Sequence, residues 1–169
     1  MSEALLAIED ARFYEHGGVD YKGILRAALA NLRDARSQGG STITMQVAKN
    51  FYLPTEKTYT RKIYELLLTL KIEKLLSKEQ ILELYMNQIF LGQRAYGFAA
   101  ASEIYFGKPV KDLSIAESAM LAALPVAPSA YNPIVNPKRA TVRQQFILGR
   151  MLEEGFITPD QYDEARQQV

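Results

Sequence analysis

The chain has 169 residues, 48% of them hydrophobic and 23% charged, with a formal net charge of +1. That length and balance suit one globular domain with a sizeable core, and so small a net charge argues against nucleic acid or a strongly acidic partner. The chain contains no cysteine, which excludes disulfides and thiolate metal sites. No run of about 18 apolar residues offers a spanning helix, and MSEALLAIEDA lacks the basic start and apolar stretch of a signal peptide.

In chain order the pattern is helical almost throughout. Ser2 is positioned to cap a helix from Glu3 to His16, closed by Gly17-Gly18. Asp20 can cap the next, YKGILRAALANLRDA, and RSQGG is a polar loop. STITMQVAKNFYL forms a helix that stops at Pro54, and TEKTY is a second loop. TRKIYELLLTLKIEKLL is apolar on nearly every face, which predicts a central buried helix. Ser77 with Gln80, and Ser114 with Glu117, read as capping boxes for KEQILELYMNQIFLG and IAESAMLAALP. Between them, RAYGFAAASEIYFG is rich in small residues that favour tight packing. VAPSAYNPIVNP is a proline-punctuated loop, KRATVRQQFILGRMLEEG a helix ending at Gly155, and Thr158-Pro159 the start of a last helix. No segment alternates like a strand, and no repeat or internal boundary is visible. The expectation is a single, mainly α domain of about eight or nine helices.

At 100° per residue, Leu6, Glu9, Phe13 and His16 share one helical stripe, so Glu9 points with apolar neighbours. Either it is a partly buried acid satisfied by Arg12 or His16, or it is a carboxylate whose pKa is raised for proton transfer. The helix alone favours the structural reading, because buried ion pairs also perturb pKa values. His16, near a helix end, reads as a cap or packed residue.

GGSTITMQVAKN places two glycines and the hydroxyls of Ser41 and Thr42 at a helix start, which either caps that helix or receives an anion. Lys49, Lys57, Arg61 and Lys62 follow. They form either a pyrophosphate cradle or a solvated basic face. Glu65 shares a stripe with Leu68, Ile72 and Leu76 and is either a salt-bridge partner of Arg61 or a second reactive acid. Two carboxylates with a cation cluster suit transfer from a sugar pyrophosphate, which needs a base and positive charge on the leaving group.

Taken together, these motifs resemble the peptidoglycan glycosyltransferases of glycosyltransferase family 51, found in class A penicillin-binding proteins and monofunctional transglycosylases. The family patterns E-D-x-x-F-x-x-H-x-G, G-x-S-T-x-T-Q-Q, R-K-x-x-E and K-x-x-I-L-x-x-Y-x-N appear in order as EDARFYEHGG, GGSTITMQ, RKIYE and KEQILELYMN. A looser fifth is RQQFIL. FLGQRAYGFAAASEIYFGK and LPVAPSAYNP look most like the 1a-type bifunctional enzymes.

The resemblance implies a lysozyme-like domain with a catalytic cleft, working on the outer, periplasmic face of the bacterial cytoplasmic membrane. It implies polymerisation of lipid II into a β-1,4-linked glycan, with inversion and release of undecaprenyl pyrophosphate. The growing strand would be donor and lipid II acceptor. Residues 1–169 would be a trimmed transglycosylase domain, without the transmembrane helix and transpeptidase domain of full-length relatives. By motif position Glu9 would be the general base and Glu65 the second acid, near the donor pyrophosphate. Lys49, Lys57, Arg61 and Lys62 would stabilise the leaving group. Ser41, Thr42 and Gln46 would shape the donor side, and Asp10, Phe13 and His16 would support Glu9. Tyr85 and Asn87 would be scaffold. No cofactor is required by the resemblance, and a divalent cation, Mg or Mn, fits near Glu65. Met45 replaces the motif's first Gln, Lys57 an Arg, and Gln144 a second Arg, so Arg143 receives no catalytic role. The alternatives are a muramidase-like hydrolase and an inactive helical membrane-associated scaffold.

Overall fold

The computed structural model describes residues 1–20, 22, 42–52 and 59–168, with the side chains of Tyr59 and Arg61 set aside. Lys22 apart, the helix expected after Asp20 lies outside the described residues, as do the loop RSQGG and all of TEKTY but Tyr59, which opens a helix instead. Among the described residues there are eight α-helices: α1 (Ser2–Glu9), α2 (Ile43–Tyr52), α3 (Tyr59–Leu75), α4 (Lys78–Gln88), α5 (Phe98–Phe106), α6 (Ile115–Ala122), α7 (Pro137–Glu153) and α8 (Pro159–Gln167). A 3-10 turn at Val110–Asp112 precedes α6. The one β-type pairing among them is an isolated bridge between Phe90 and Tyr96. These residues fall into two compact units, one of Met1–Ala11 with Met86–Val169, the other of Arg12–Tyr85.

The first unit is built on small side chains. Ala4 and Ala7 of α1, Ala116, Ala119 and Ala122 of α6, and Ala140 and Ile147 of α7 are buried. Alanine at a crossing lets helix backbones approach closely but gains little by burial. The larger payload comes from Ile147, Leu148 and Met151, at roughly 1.5–3 kcal/mol each. Gln144 is buried, and its Nε2 donates to the Ala116 carbonyl at 2.7 Å, tying α7 to α6.

Two expected helix starts in this unit form with their full chemistry. The Ser114 hydroxyl accepts from the Glu117 N–H at 3.1 Å, and the Glu117 carboxylate accepts from the Ser114 N–H at 2.9 Å. Thr158 and Gln161 repeat the arrangement at α8, with Pro159 in the first turn. Glu117 also pairs with Lys108 Nζ at 2.6 Å.

In the second unit, Ser77 and Gln80 form the reciprocal pair expected at the start of α4. Two other expectations fail. The first helix ends at Glu9, not His16, and its N-cap is Met1 rather than Ser2. Asp10 leaves the helix with φ −163° and ψ 76°, while its N–H donates to Leu6 O and closes the last turn. Beyond it, Arg12 folds the chain into a turn, its guanidinium reaching Glu15 at 2.9 Å and Asp20 at 3.5 Å. The stripe that placed Glu9 and His16 on one helix face therefore does not exist.

Nor is α3 buried all round. Ile63 is 59% and Leu67 60% exposed, with Tyr64 and Leu70 also outward, whereas Glu65 and Thr69 are buried. Alongside the buried Ile72, the helix turns these two polar residues inward, where its inward side meets the backbone of another segment.

That segment is Gly18. Its φ of +100° is a conformation L side chains rarely adopt. A Cβ there would stand 2.8 Å from Glu73 Cγ and 2.9 Å from Thr69 Cγ2. Gly18→Ala should cost about 1–3 kcal/mol by denaturant unfolding. Gly17→Ala should stay within about 0.5 kcal/mol, since nothing lies within 4 Å of its added Cβ.

A pH dependence follows from Glu117. Burial pushes its carboxyl up. The hydrogen bonds from Lys108 and Ser114, with the Lys108 charge, outweigh burial and hold it below the ordinary 4.5. A depressed folded-state value contributes stability that is present above the unfolded value and lost as pH falls through the folded one. Thermal unfolding should show wild type more stable than Glu117→Gln at pH 7, with the gap closing below pH 4.5.

Candidate functional site

In the unit Arg12–Tyr85, the first two motifs are joined through Gly18. His16 Nδ1 accepts the Gly18 N–H at 3.0 Å, which assigns the neutral ring's proton to Nε2. The Gly18 carbonyl accepts the Thr42 hydroxyl at 2.6 Å. Thr42 Oγ1 in turn accepts from the Met45 N–H at 3.1 Å, and Thr42 O accepts the Gln46 N–H at 3.0 Å. Thr42 is thus the N-cap of α2, the capping half of the two readings of this stretch, and its buried hydroxyl is committed to that task. Phe13, fully buried, stands edge-on to His16 with ring centroids 6.1 Å apart.

On α2, Met45 is buried, as a side chain facing the core should be. Gln46 is half-buried, and its Oε1 accepts the Tyr85 hydroxyl at 2.9 Å. This bond orients the carboxamide and makes Tyr85, fully buried on α4, its positioning partner. Lys49 lies exposed in the last turn of α2, where a cation also suits the helix dipole.

On α3, Glu65 is only 4% exposed. Its carboxylate takes Lys62 Nζ at 3.1 Å, while Lys62 itself stays largely in solvent. Its carbonyl accepts the Thr69 hydroxyl at 2.7 Å. A carboxylate so buried, paired with one largely exposed cation, concentrates negative charge where a further cation nearby would feel it. Arg61, weighed as its partner, has its side chain outside the described residues, as do Ser41 and Lys57 altogether. Among the described residues, no three His, Asp or Glu gather to hold a metal.

Glu9 and Asp10 belong to the other unit. Glu9 is the last residue of α1, half-buried and engaged by neighbours, and Asp10 is buried at its C-cap. A carboxylate at this end of a helix faces the negative pole of the dipole, which costs about 0.3–1 kcal/mol. α1 carries that cost because Ala4 and Ala7 lock it into the core. Arg143, which received no catalytic role, packs its guanidinium over Tyr131 and Phe146. The sequence reading gave Gly18 only as a helix end and motif position, and missed Thr44, Thr69 and Glu73. The signal for the last two was the four-residue spacing Glu65, Thr69, Glu73 on an otherwise apolar helix.

The comparisons agree with this assembly of motifs. The Transglycosylase family model matches residues 1–152. The chain is 62% identical, over 98% of its length, to a provisionally named transglycosylase of Cupriavidus necator, covering 71% of that protein. It is 63% identical, again over 98%, to penicillin-binding protein 1A of Neisseria gonorrhoeae, of which it spans 21%. Its fold matches the crystal structure of penicillin-binding protein 1A from Haemophilus influenzae with a TM-score of 0.53 and 38% identity, covering 75% of this chain and 16% of that one. The mainly helical, lysozyme-like fold class therefore stands, and the chain belongs to the transglycosylase family.

Proposed function

We propose that the chain is a peptidoglycan glycosyltransferase domain that polymerises lipid II. The observation that carries this reading is Glu65, a nearly inaccessible carboxylate beside Lys62 on the helix that opens with RKIYE. A purely structural acid at that depth gives no reason for three further cations, Lys49, Lys57 and Arg61, in the same short stretch of chain.

In the proposed reaction the acceptor's 4-hydroxyl attacks C1 of the α-linked donor. The C1–oxygen bond to pyrophosphate breaks as the new bond forms, so configuration inverts to β-1,4. The proton passes to Glu9, and the electron pair leaves on undecaprenyl pyrophosphate, whose charge Lys49, Lys57, Arg61 and Lys62 offset. Gln46, held by Tyr85, shapes the donor side with Ser41, and Thr42 fixes the start of the helix that carries Gln46. Asp10 and His16 fix the segment around the base. Glu65 would be the residue to hold a divalent cation, which would supply further positive charge for the leaving pyrophosphate.

No helix among the described residues is long and apolar enough to cross a membrane. The outward Ile63, Tyr64, Leu67 and Leu70 of α3 support work against the periplasmic face of the cytoplasmic membrane, where the lipid-linked substrate lies. The penicillin-binding relatives are about five times longer, which leaves room in a full-length protein for a transpeptidase domain acting on the same glycan.

The test is incubation with lipid II and analysis of glycan length. Polymer is expected, and Glu9→Gln should reduce its formation by at least about 100-fold with folding intact. Cleavage of preformed glycan without polymerisation would instead identify a muramidase-like hydrolase, and an unchanged Glu9→Gln rate would remove Glu9 as base.

A further inference from the structure

We propose that Glu73 is a positioning residue for the transfer site, an inference that rests on the glycosyltransferase reading above. One carboxylate oxygen, Oε1, accepts the Thr44 hydroxyl of α2 at 2.6 Å and Lys78 Nζ of α4 at 2.8 Å. The Glu73 and Lys78 side chains are 11% and 18% exposed, so this is a charge-assisted pair largely withdrawn from water.

Three polar ties close a triangle. Thr44–Glu73 joins α2 to α3, Glu73–Lys78 joins α3 to α4, and Tyr85–Gln46 joins α4 back to α2. Two ties would leave a hinge; a closed triangle fixes three helices in register. The triangle is also pinned to the first motif, because Lys78 Nζ stands 4.6 Å from the centre of the Phe13 ring and Glu73 Cγ closes the space over Gly18.

What the triangle holds is the chemistry. α2 carries Gln46 and Lys49, and α3 carries Lys62 and Glu65. Thr44 lies two residues before Gln46, and Glu73 two turns after Glu65 on the same inward side. Releasing the Thr44–Glu73 tie lets α2 shift along α3, moving Lys49 and Gln46 relative to Glu65. Leaving-group stabilisation depends on fixed charges at the transition state, so such a shift should lower kcat more than it raises KM.

The experiment uses the full chain with Thr44→Val, which is near-isosteric and spares the Glu73–Lys78 pair, alongside Thr44→Ser, Glu73→Gln and the Thr44→Val/Glu73→Gln double variant. With lipid II, Thr44→Val should lose about 10-fold or more in kcat per folded molecule, with KM within about twofold. Thr44→Ser, which keeps the hydroxyl, should recover wild-type kcat to within about twofold. The double variant should fall no further than the worse single variant, as expected for one shared tie. Amide hydrogen exchange in the first turn of α2 should rise in Thr44→Val and not in α6 or α7, a readout that needs no substrate. Wild-type kcat in Thr44→Val and Glu73→Gln, with unchanged exchange in α2, would overturn the assignment. A wild-type protein inactive on lipid II would sink the glycosyltransferase reading, and with it the transfer role, while the exchange arm would still decide whether Glu73 fixes α2.

Discussion

The backbone of Gly18 runs so close to α3 that no side chain fits between them, and most of what surrounds the site in the Arg12–Tyr85 unit follows from that approach. A bare backbone presents a donor and an acceptor that must be satisfied once buried. His16 takes the N–H and Thr42 supplies a hydroxyl to the carbonyl. Because Thr42 is also the N-cap of α2, the same bond fixes where the second motif begins. One steric requirement thereby sets the position of the first motif's histidine and of the helix that carries Gln46 and Lys49.

The same approach explains the polar residues on the inward side of α3. Where that side meets the Gly18 backbone, Thr69 and Glu73 stand where leucine would serve in an ordinary bundle, with Ile72 buried beside them. Each inward polar group is matched: Thr69 bonds the Glu65 carbonyl, Glu73 takes Thr44 and Lys78, and Glu65 takes Lys62. A matched polar interior specifies one arrangement more sharply than interchangeable apolar packing, at a cost in stability. That trade fixes the side chains of Glu65 and Glu73 in one arrangement, while Ile63, Tyr64, Leu67 and Leu70 of α3 face outward.

Features governed by short-range chemistry were legible in the sequence. The pairs Ser77–Gln80 and Ser114–Glu117 depend on hydrogen bonds at a fixed offset of three residues, and both form, as does the Thr158 cap, which Gln161 completes. The motifs were legible for the same reason, as residue types at fixed spacing. What was not legible depended on distant partners. No glycine or proline stops α1 at Glu9. Just past the helix end Phe13 is buried and Arg12 pairs with Asp20, contacts that helical periodicity does not reveal. The apolar content of α3 gave its helical character but not its direction, since periodicity separates two faces without saying which one faces inward. The division of the chain between Ala11 and Arg12 and within α4 falls at no linker-like sequence.

Ending α1 at Glu9 changes what that residue is. On a continuous helix to His16 it would be one acid in a stripe, oriented by neighbours one turn away on both sides. At the final turn its side chain is carried by a helix whose Ala4 and Ala7 are buried against α6 and α7. Those alanines are small enough for α1 to pack closely, and short side chains leave little slack for the helix to rock. A general base must be held to within a fraction of an ångström of its productive geometry, and rigid secondary structure does this better than a loop. The helix dipole disfavours a carboxylate at that end, so local stability does not select glutamate there. The alanine packing outweighs the dipole, and the rigid placement it gives the end of α1 is what the base role proposed for Glu9 needs.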